Sequence, residues 1–153
     1  MHDITEQDRI ILRQLQRNPT ATAQELSEAT NIASATCWRR VEKLTELGVI
    51  EATEATFDLR ALDYDVEVSL RVTLDKTQNN AFDQFIMATR DIAEVNEIQT
   101  FLGRVDVRLN VVARDLAHYQ EIYRNRILAL PHVQDIEALM LVSTVFDRES
   151  LPI

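Results

Sequence analysis

Between residues 8 and 47 the apolar positions recur at steps of three and four, the spacing of short amphipathic helices. Ile11, Leu12 and Leu15 form one buried face behind Thr5, which stands where a helix N-cap belongs. Asn18-Pro19-Thr20 breaks that helix. Thr22 and Glu25 have the spacing of a capping box, in which each side chain satisfies a free N–H of the next helix's first turn; that helix is expected to run to about Thr30. Asn31 falls where a tight inter-helix turn needs a left-handed residue, a conformation Asn tolerates better than most. The third helix starts near Ser34 and places Cys37, Val41, Leu44 and Leu47 on one face, with Arg39, Arg40 and Lys43 pointing elsewhere, until Gly48 ends it. Residues 49–53 and 55–57 read as a short β-ribbon, the wing of a winged helix-turn-helix spanning 1–57, and 58–65 as a linker.

The period then changes from helical to alternating. Val66, Val68, Leu70, Val72 and Leu74 share one face of a strand, against Glu67, Ser69, Arg71 and Thr73 on the other. A helix over 80–89 carries Phe82, Phe85, Ile86 and Met87, and strands over 95–102 and 106–113 flank Gly103-Arg104-Val105. A helix over 116–130 is stopped by Pro131, and 133–146 reads as a long apolar strand. The order β-α-β-β-α-β is the ferredoxin-like pattern, so the chain is expected to be α+β, with a second domain over 66–153. The last strand is apolar on both faces, Leu139, Leu141 and Val145 alternating with Ala138, Met140, Val142 and Phe146. One face is expected to cover the helices and the other to meet a partner sheet.

Composition narrows the function classes. At 153 residues and 46% hydrophobic content, the chain can bury one core or two small ones. Met1-His2-Asp3-Ile4-Thr5 has no basic stretch followed by an apolar one, and no apolar run reaches the roughly 18 residues of a membrane span, so a cytoplasmic protein is expected. Cys37 is the single cysteine, which excludes an intramolecular disulfide and a cysteine-built zinc site; it reads as a small buried hydrophobe. Neither a cofactor nor a metal is expected.

A net charge of −9 speaks against a polyanionic partner until its distribution is considered. Over 34–43, Arg39, Arg40 and Lys43 stand against Glu42 alone, so the third helix is locally basic. An α-helix fits the major groove of double-stranded DNA and reads base edges from its N-terminal half, which makes Ser34, Ala35, Thr36 and Arg39 the candidate readers. Arg40 and Lys43, further along, are suited to phosphates or to carboxylates of their own domain. Trp38 belongs to the same helix and can stack on sugar, although a large aromatic at helical spacing is more often packed against a neighbouring element. So few cations require two copies of the helix, hence a dimer.

Asp8-Arg9-Ile10-Ile11-Leu12, Glu25-Leu26, Thr36-Cys37-Trp38-Arg39-Arg40-Val41 with Leu44, and Gly48-Val49-Ile50 together resemble the Lrp/AsnC family of prokaryotic transcription regulators. In the second domain Gly103-Arg104-Val105-Asp106 resembles the family's Gly-x-x-Asp turn, followed by Asp115 with Tyr119 and by Leu130-Pro131-His132-Val133. Departures occur at Asn31, Ala33 and Ser34, where the family has Gly, a capping Ser and often Pro; Ser34 is therefore expected to cap the third helix itself, starting it one residue later. Glu51 and Glu54 make the wing acidic where the family is often basic, so its contact with phosphate is in question.

The resemblance implies a ferredoxin-like domain of the RAM type that binds a small effector, an amino acid, and homodimers that assemble further, commonly to octamers. It places the effector at the loop of Leu102, Gly103, Arg104 and Asp106, completed by Gln134: Asp106 to pair with an ammonium, Arg104 with a carboxylate. From the residues alone, a hairpin turn with an ordinary surface ion pair remains open. A porphyrin-precursor decarboxylase of the same architecture is the catalytic alternative, but His2, His118 and His132 form no cluster in the sequence, and the protein is read as not an enzyme. A DNA-architectural protein is the third reading, which the modest cation count does not favour.

Overall fold

The computed structural model describes residues 4–147 and 150–153. His2 lies outside the described residues. The chain divides into two compact units, one formed by Met1–Thr56 with Phe146–Ile153 and the other by Phe57–Val145.

The first unit is built on α1 (Glu6–Arg17), α2 (Ala23–Thr30) and α3 (Ser34–Glu46). Both predicted N-caps form. The Thr5 hydroxyl accepts from the Asp8 N–H and the Asp8 carboxylate accepts from the Thr5 N–H; Thr22 and Glu25 repeat the arrangement on α2. Asn31 has φ 57°, the left-handed conformation the turn between α2 and α3 requires, and Gly48 takes φ 69° beyond α3. α3 starts at Ser34 itself, with Ala33 as its N-cap and no side chain bonded there, so the expected later start at a capping Ser34 is not what forms. Ile11, Leu26 and Cys37 are the buried core, with Leu15, Ala21, Ile32 and Val41 packed on it.

The expected β-ribbon is absent. The N–H groups of Val49 and Ile50 both bond back to the Leu44 carbonyl, and 51–58 then runs exposed with no ladder. Two apolar residues followed by Glu51 and Glu54 give a ribbon too little to bury, and a two-stranded ribbon without a face to cover is marginal.

In the second unit β1 (Val66–Leu74), β2 (Val95–Thr100), β3 (Val107–Ala113) and β4 (Val133–Met140) form one antiparallel sheet in the order β2-β3-β1-β4. α4 (Ala81–Arg90) and α5 (Leu116–Ile122) carry the crossovers. The alternating apolar face of β1 is buried as the pattern predicts: Val68, Leu70, Val72 and Leu74 join Val107, Leu109, Val111, Phe85, Ile122 and Ile127 in the core. α5 passes at Tyr123–Ile127 into a wider turn in which the Leu128 N–H reaches the Tyr123 carbonyl, five residues back. The step of five from Ile122 to Ile127 keeps both side chains in the core, which a regular helix would not do.

β4 ends at Met140, not at 146, because β1 offers no further partner: the Leu141 N–H makes the last rung with the Glu67 carbonyl. Residues 58–65 are not a plain linker either. Asp58 caps a short turn over Arg60–Leu62 by accepting from the N–H groups of Arg60 and Ala61.

Candidate DNA interface and effector loop

α3 sorts its residues by periodicity. Cys37 and Leu44 are buried, whereas Ala35, Trp38, Arg39, Glu42 and Lys43 form an exposed stripe. Arg39 and Lys43, four residues apart, lie one turn above the other and have no ion-pair partner among the described residues. Ser34 is exposed at the start of the helix and Thr36 is half-buried at the stripe's edge. Trp38 is not packed into the core; it is 53% exposed on the same stripe, one position past the buried Cys37 and so turned away from the cluster that Cys37 and Val41 join.

Arg40 turns the other way. Its guanidinium lies 2.8 Å from Asp8 Oδ1 and 3.2 Å from Thr5 Oγ1, and its second terminal nitrogen lies 2.6 Å from Gln7 Oε1, all on the first turn of α1. Burial alone would push the Asp8 carboxyl up; the hydrogen bonds from Thr5 and Arg40 outweigh that and hold it below its ordinary value.

The β2–β3 connection is the other predicted site. Gly103 takes φ 155°, which side-chain-bearing residues rarely adopt, and so lets the chain turn between the two strands. Leu102 and Arg104 are exposed, and the Arg104 carbonyl accepts from the Thr73 hydroxyl at 3.2 Å. Asp106 is buried. Its Oδ2 accepts from the Leu74 N–H at 2.9 Å and its Oδ1 sits 2.7 Å from Lys76 Nζ. Here too burial favours protonation, and is outweighed by Lys76 and the Leu74 N–H, which hold the carboxyl below its ordinary value.

Asp106 and Lys76 line a cleft with Asn80 and Phe82 at the start of α4, and Lys76 also lines a neighbouring cleft with Thr73, Asp75 and Gln134. Lys76 thus connects two residues the sequence had singled out. It escaped sequence reading because its partner lies thirty residues away; the one signal was a cation placed directly after a strand's end. The side chains of Leu102 and Arg104 are not drawn to either cleft. His118 contacts Glu94 and the Arg114 N–H, and His132 contacts Gln84, so the two described histidines stand apart, and no metal-holding cluster exists among the described residues.

The face of the sheet turned away from the helices is polar and open. Arg71 pairs with Glu137 at 3.4 Å, Arg108 with Glu97 at 2.8 Å, and Asn110 bonds to Glu67 and Asn96. Leu139 opposes Ser69 there, exposed. No helix among the described residues is long and apolar enough to cross a membrane.

Two family profiles match this chain: "Lrp/AsnC ligand binding domain" over residues 67–151 and "Winged helix-turn-helix DNA-binding" over 4–51. The leucine-responsive regulatory protein of Escherichia coli K12 is 27% identical over 151 residues, covering 99% of this chain and 92% of that protein. An AsnC family transcriptional regulator from Agrobacterium tumefaciens has the same fold at a TM-score of 0.86 and 27% identity, covering 97% of this chain and 96% of that one. A transcriptional regulator of Neisseria meningitidis, solved as a complex with L-Met, superposes at a TM-score of 0.90 with 24% identity, over 98% of this chain and 97% of its own.

Proposed function

Since this chain belongs to the Lrp/AsnC family of transcription regulators, which is not a family of enzymes, we propose that it reads its operator with the exposed stripe of α3 and is switched by an amino acid at the β2–β3 loop. The observation that carries the DNA reading is the pair Arg39 and Lys43, set one turn apart on the exposed stripe of α3 and unpaired by any described carboxylate. Ser34, Ala35, Thr36 and Arg39 meet base edges, Trp38 lies against the sugar-phosphate wall, and Lys43 meets phosphate. Nothing in the exposed, acidic 51–54 segment supports a wing contact with the backbone.

Effector binding rests on the ligand-binding profile over 67–151 and on the cleft that Lys76 and Asp106 line together. The L-Met held by the Neisseria regulator supports an amino acid as its class. With the Asp106 carboxylate already bonded to Leu74 and Lys76, an incoming ammonium must compete with Lys76, whose released ammonium then stands ready for the ligand carboxylate. Gln134, across Lys76, completes the site, beside the loop of Leu102, Gly103 and Arg104 that precedes Asp106.

The protein works as a homodimer joined through the open sheet face around Leu139, and the dimers assemble toward an octamer in the cytoplasm. An effector bound between subunits shifts the assembly by the difference in its affinity for the two states. The test is binding to a duplex from the chain's own upstream region, titrated with each of the twenty amino acids. Retardation specific to that duplex and altered by one amino acid is expected; equal binding to random DNA would instead favour the architectural reading.

A further inference from the structure

Resting on the DNA-binding reading, we propose that Arg40 is not a DNA contact but the positioning residue of the recognition helix, a clamp through which the Asp8 carboxylate fixes the rotation of α3 about its own axis. The carboxylate does two jobs at once. Oδ2 closes the N-cap of α1, accepting from the Thr5 N–H at 2.9 Å and the Thr5 hydroxyl at 2.6 Å, while Oδ1 holds the Arg40 guanidinium at 2.8 Å. Gln7 takes the second terminal nitrogen at 2.6 Å, so the fork is gripped at three points on a single turn of α1.

Such a clamp has work to do here. The fully buried apolar side chains of this unit are Ile11, Leu26, Cys37 and Leu44, with Leu15, Ala21, Ile32 and Val41 partly buried, and so few contacts resist separation of the helices better than they resist their turning. A helix turns about 100° per residue, so Arg39 and Arg40 face directions far apart. Pinning Arg40 to α1 therefore dictates that Ala35, Arg39 and Lys43 form the outward stripe. Releasing Arg40 to a phosphate would leave Asp8, whose side chain is only 10% exposed, without a counter-charge and with the Thr5 hydrogen bonds alone. That loss exceeds what one solvated phosphate contact returns.

The two assignments part in experiment. In the full-length protein, Asp8→Asn, Arg40→Gln and Arg40→Lys are compared with the natural chain, by binding to the upstream duplex over a range of salt and by hydrogen exchange of the α1 and α3 amides without DNA. For a clamp, each variant weakens binding about tenfold with the salt slope unchanged and exchanges its α3 amides faster. The pair Asp8→Asn/Arg40→Gln is then no worse than either single change. Arg40→Lys fails like Arg40→Gln, since one ammonium nitrogen lacks the planar fork whose two terminal nitrogens reach Asp8 and Gln7 separately. For a phosphate contact, Arg40→Gln lowers the salt slope by about 0.9 per subunit, Arg40→Lys keeps its affinity, and Asp8→Asn binds tighter; any of these overturns the proposal. Gln7→Ala removes one arm without touching the cap, so it reports even where the others fail to fold: faster α3 exchange supports the clamp and unchanged exchange defeats it. Should the natural chain bind no duplex, the regulator reading falls, and the exchange data still decide the clamp.

Discussion

Lys76 Nζ lies 2.7 Å from Asp106 Oδ1, while the other oxygen of the same carboxylate takes the Leu74 N–H. The end of β1 and the start of β3 are thereby tied through one buried acid. Replacing it by Ala leaves the Leu74 N–H without an acceptor, which costs about 1–3 kcal/mol, whereas Asn keeps an acceptor and loses only the attraction for Lys76. Thermal unfolding is expected to rank the natural chain above Asp106→Asn and that above Asp106→Ala. Both variants are expected to lose the response to amino acids in calorimetric titration without loss of DNA affinity.

Arg39→Ala is expected to abolish operator shifts while leaving the oligomer intact by sedimentation. Lys43→Ala should retain sequence preference but flatten the dependence of log K on log salt by about 0.9 per subunit, the mark of one lost phosphate contact. Unchanged binding by Arg39→Ala would remove that residue from the contact set.

Acid sensitivity follows from two carboxylates. Asp8 and Asp106 are both held below the 3.8 of an ordinary aspartate. A depressed folded-state value means that their stabilisation is complete above the ordinary value that the unfolded chain keeps and is lost as pH falls from there through the lower folded value. Denaturant unfolding between about pH 6 and about pH 2.5 is expected to show an acid limb that Asp8→Asn and Asp106→Asn each make shallower. An identical limb in both variants would place the sensitivity elsewhere.

Leu139 tests the assembly. It lies exposed on the open sheet face opposite Ser69, and Leu139→Asp puts a charge that a partner sheet would have to bury in place of an apolar side chain. Leu139→Asp is expected to move the sedimenting species from dimer or larger toward monomer and to weaken operator binding with it.

What the sequence made legible was local. The N-cap at Thr5, the capping box of Thr22 and Glu25, the left-handed Asn31 and the buried face of β1 depend on residues within a few positions of one another, and each formed as expected. The end of β4 was not legible, because it is set by where β1 stops offering a partner, and at that end Met140 faces Val68, far back in the sequence. The wing failed for a related reason, since alternation marks extended chain but not the neighbour that makes it a ladder. On α3 the spacing separated buried from exposed positions; which cation would find a carboxylate depended on α1, and Trp38 lies one position past the buried Cys37, turned away from the cluster that its size alone suggested it would join.

With Arg40 neutralised by Asp8, the outward stripe of α3 carries the cations Arg39 and Lys43 on a chain whose net charge is −9. At low salt, where the screening length reaches about 30 Å, an approaching duplex senses the whole anionic body first, and only at close range does it sense the helix. Encounter is consequently uphill before it is downhill. In stopped flow, association should quicken as salt is first added and long-range repulsion is screened, then slow as the contacts themselves weaken. A basic binder would slow from the outset. Such a molecule spends little time gliding on arbitrary sequence, and its residence on DNA is earned at the site where shape fits.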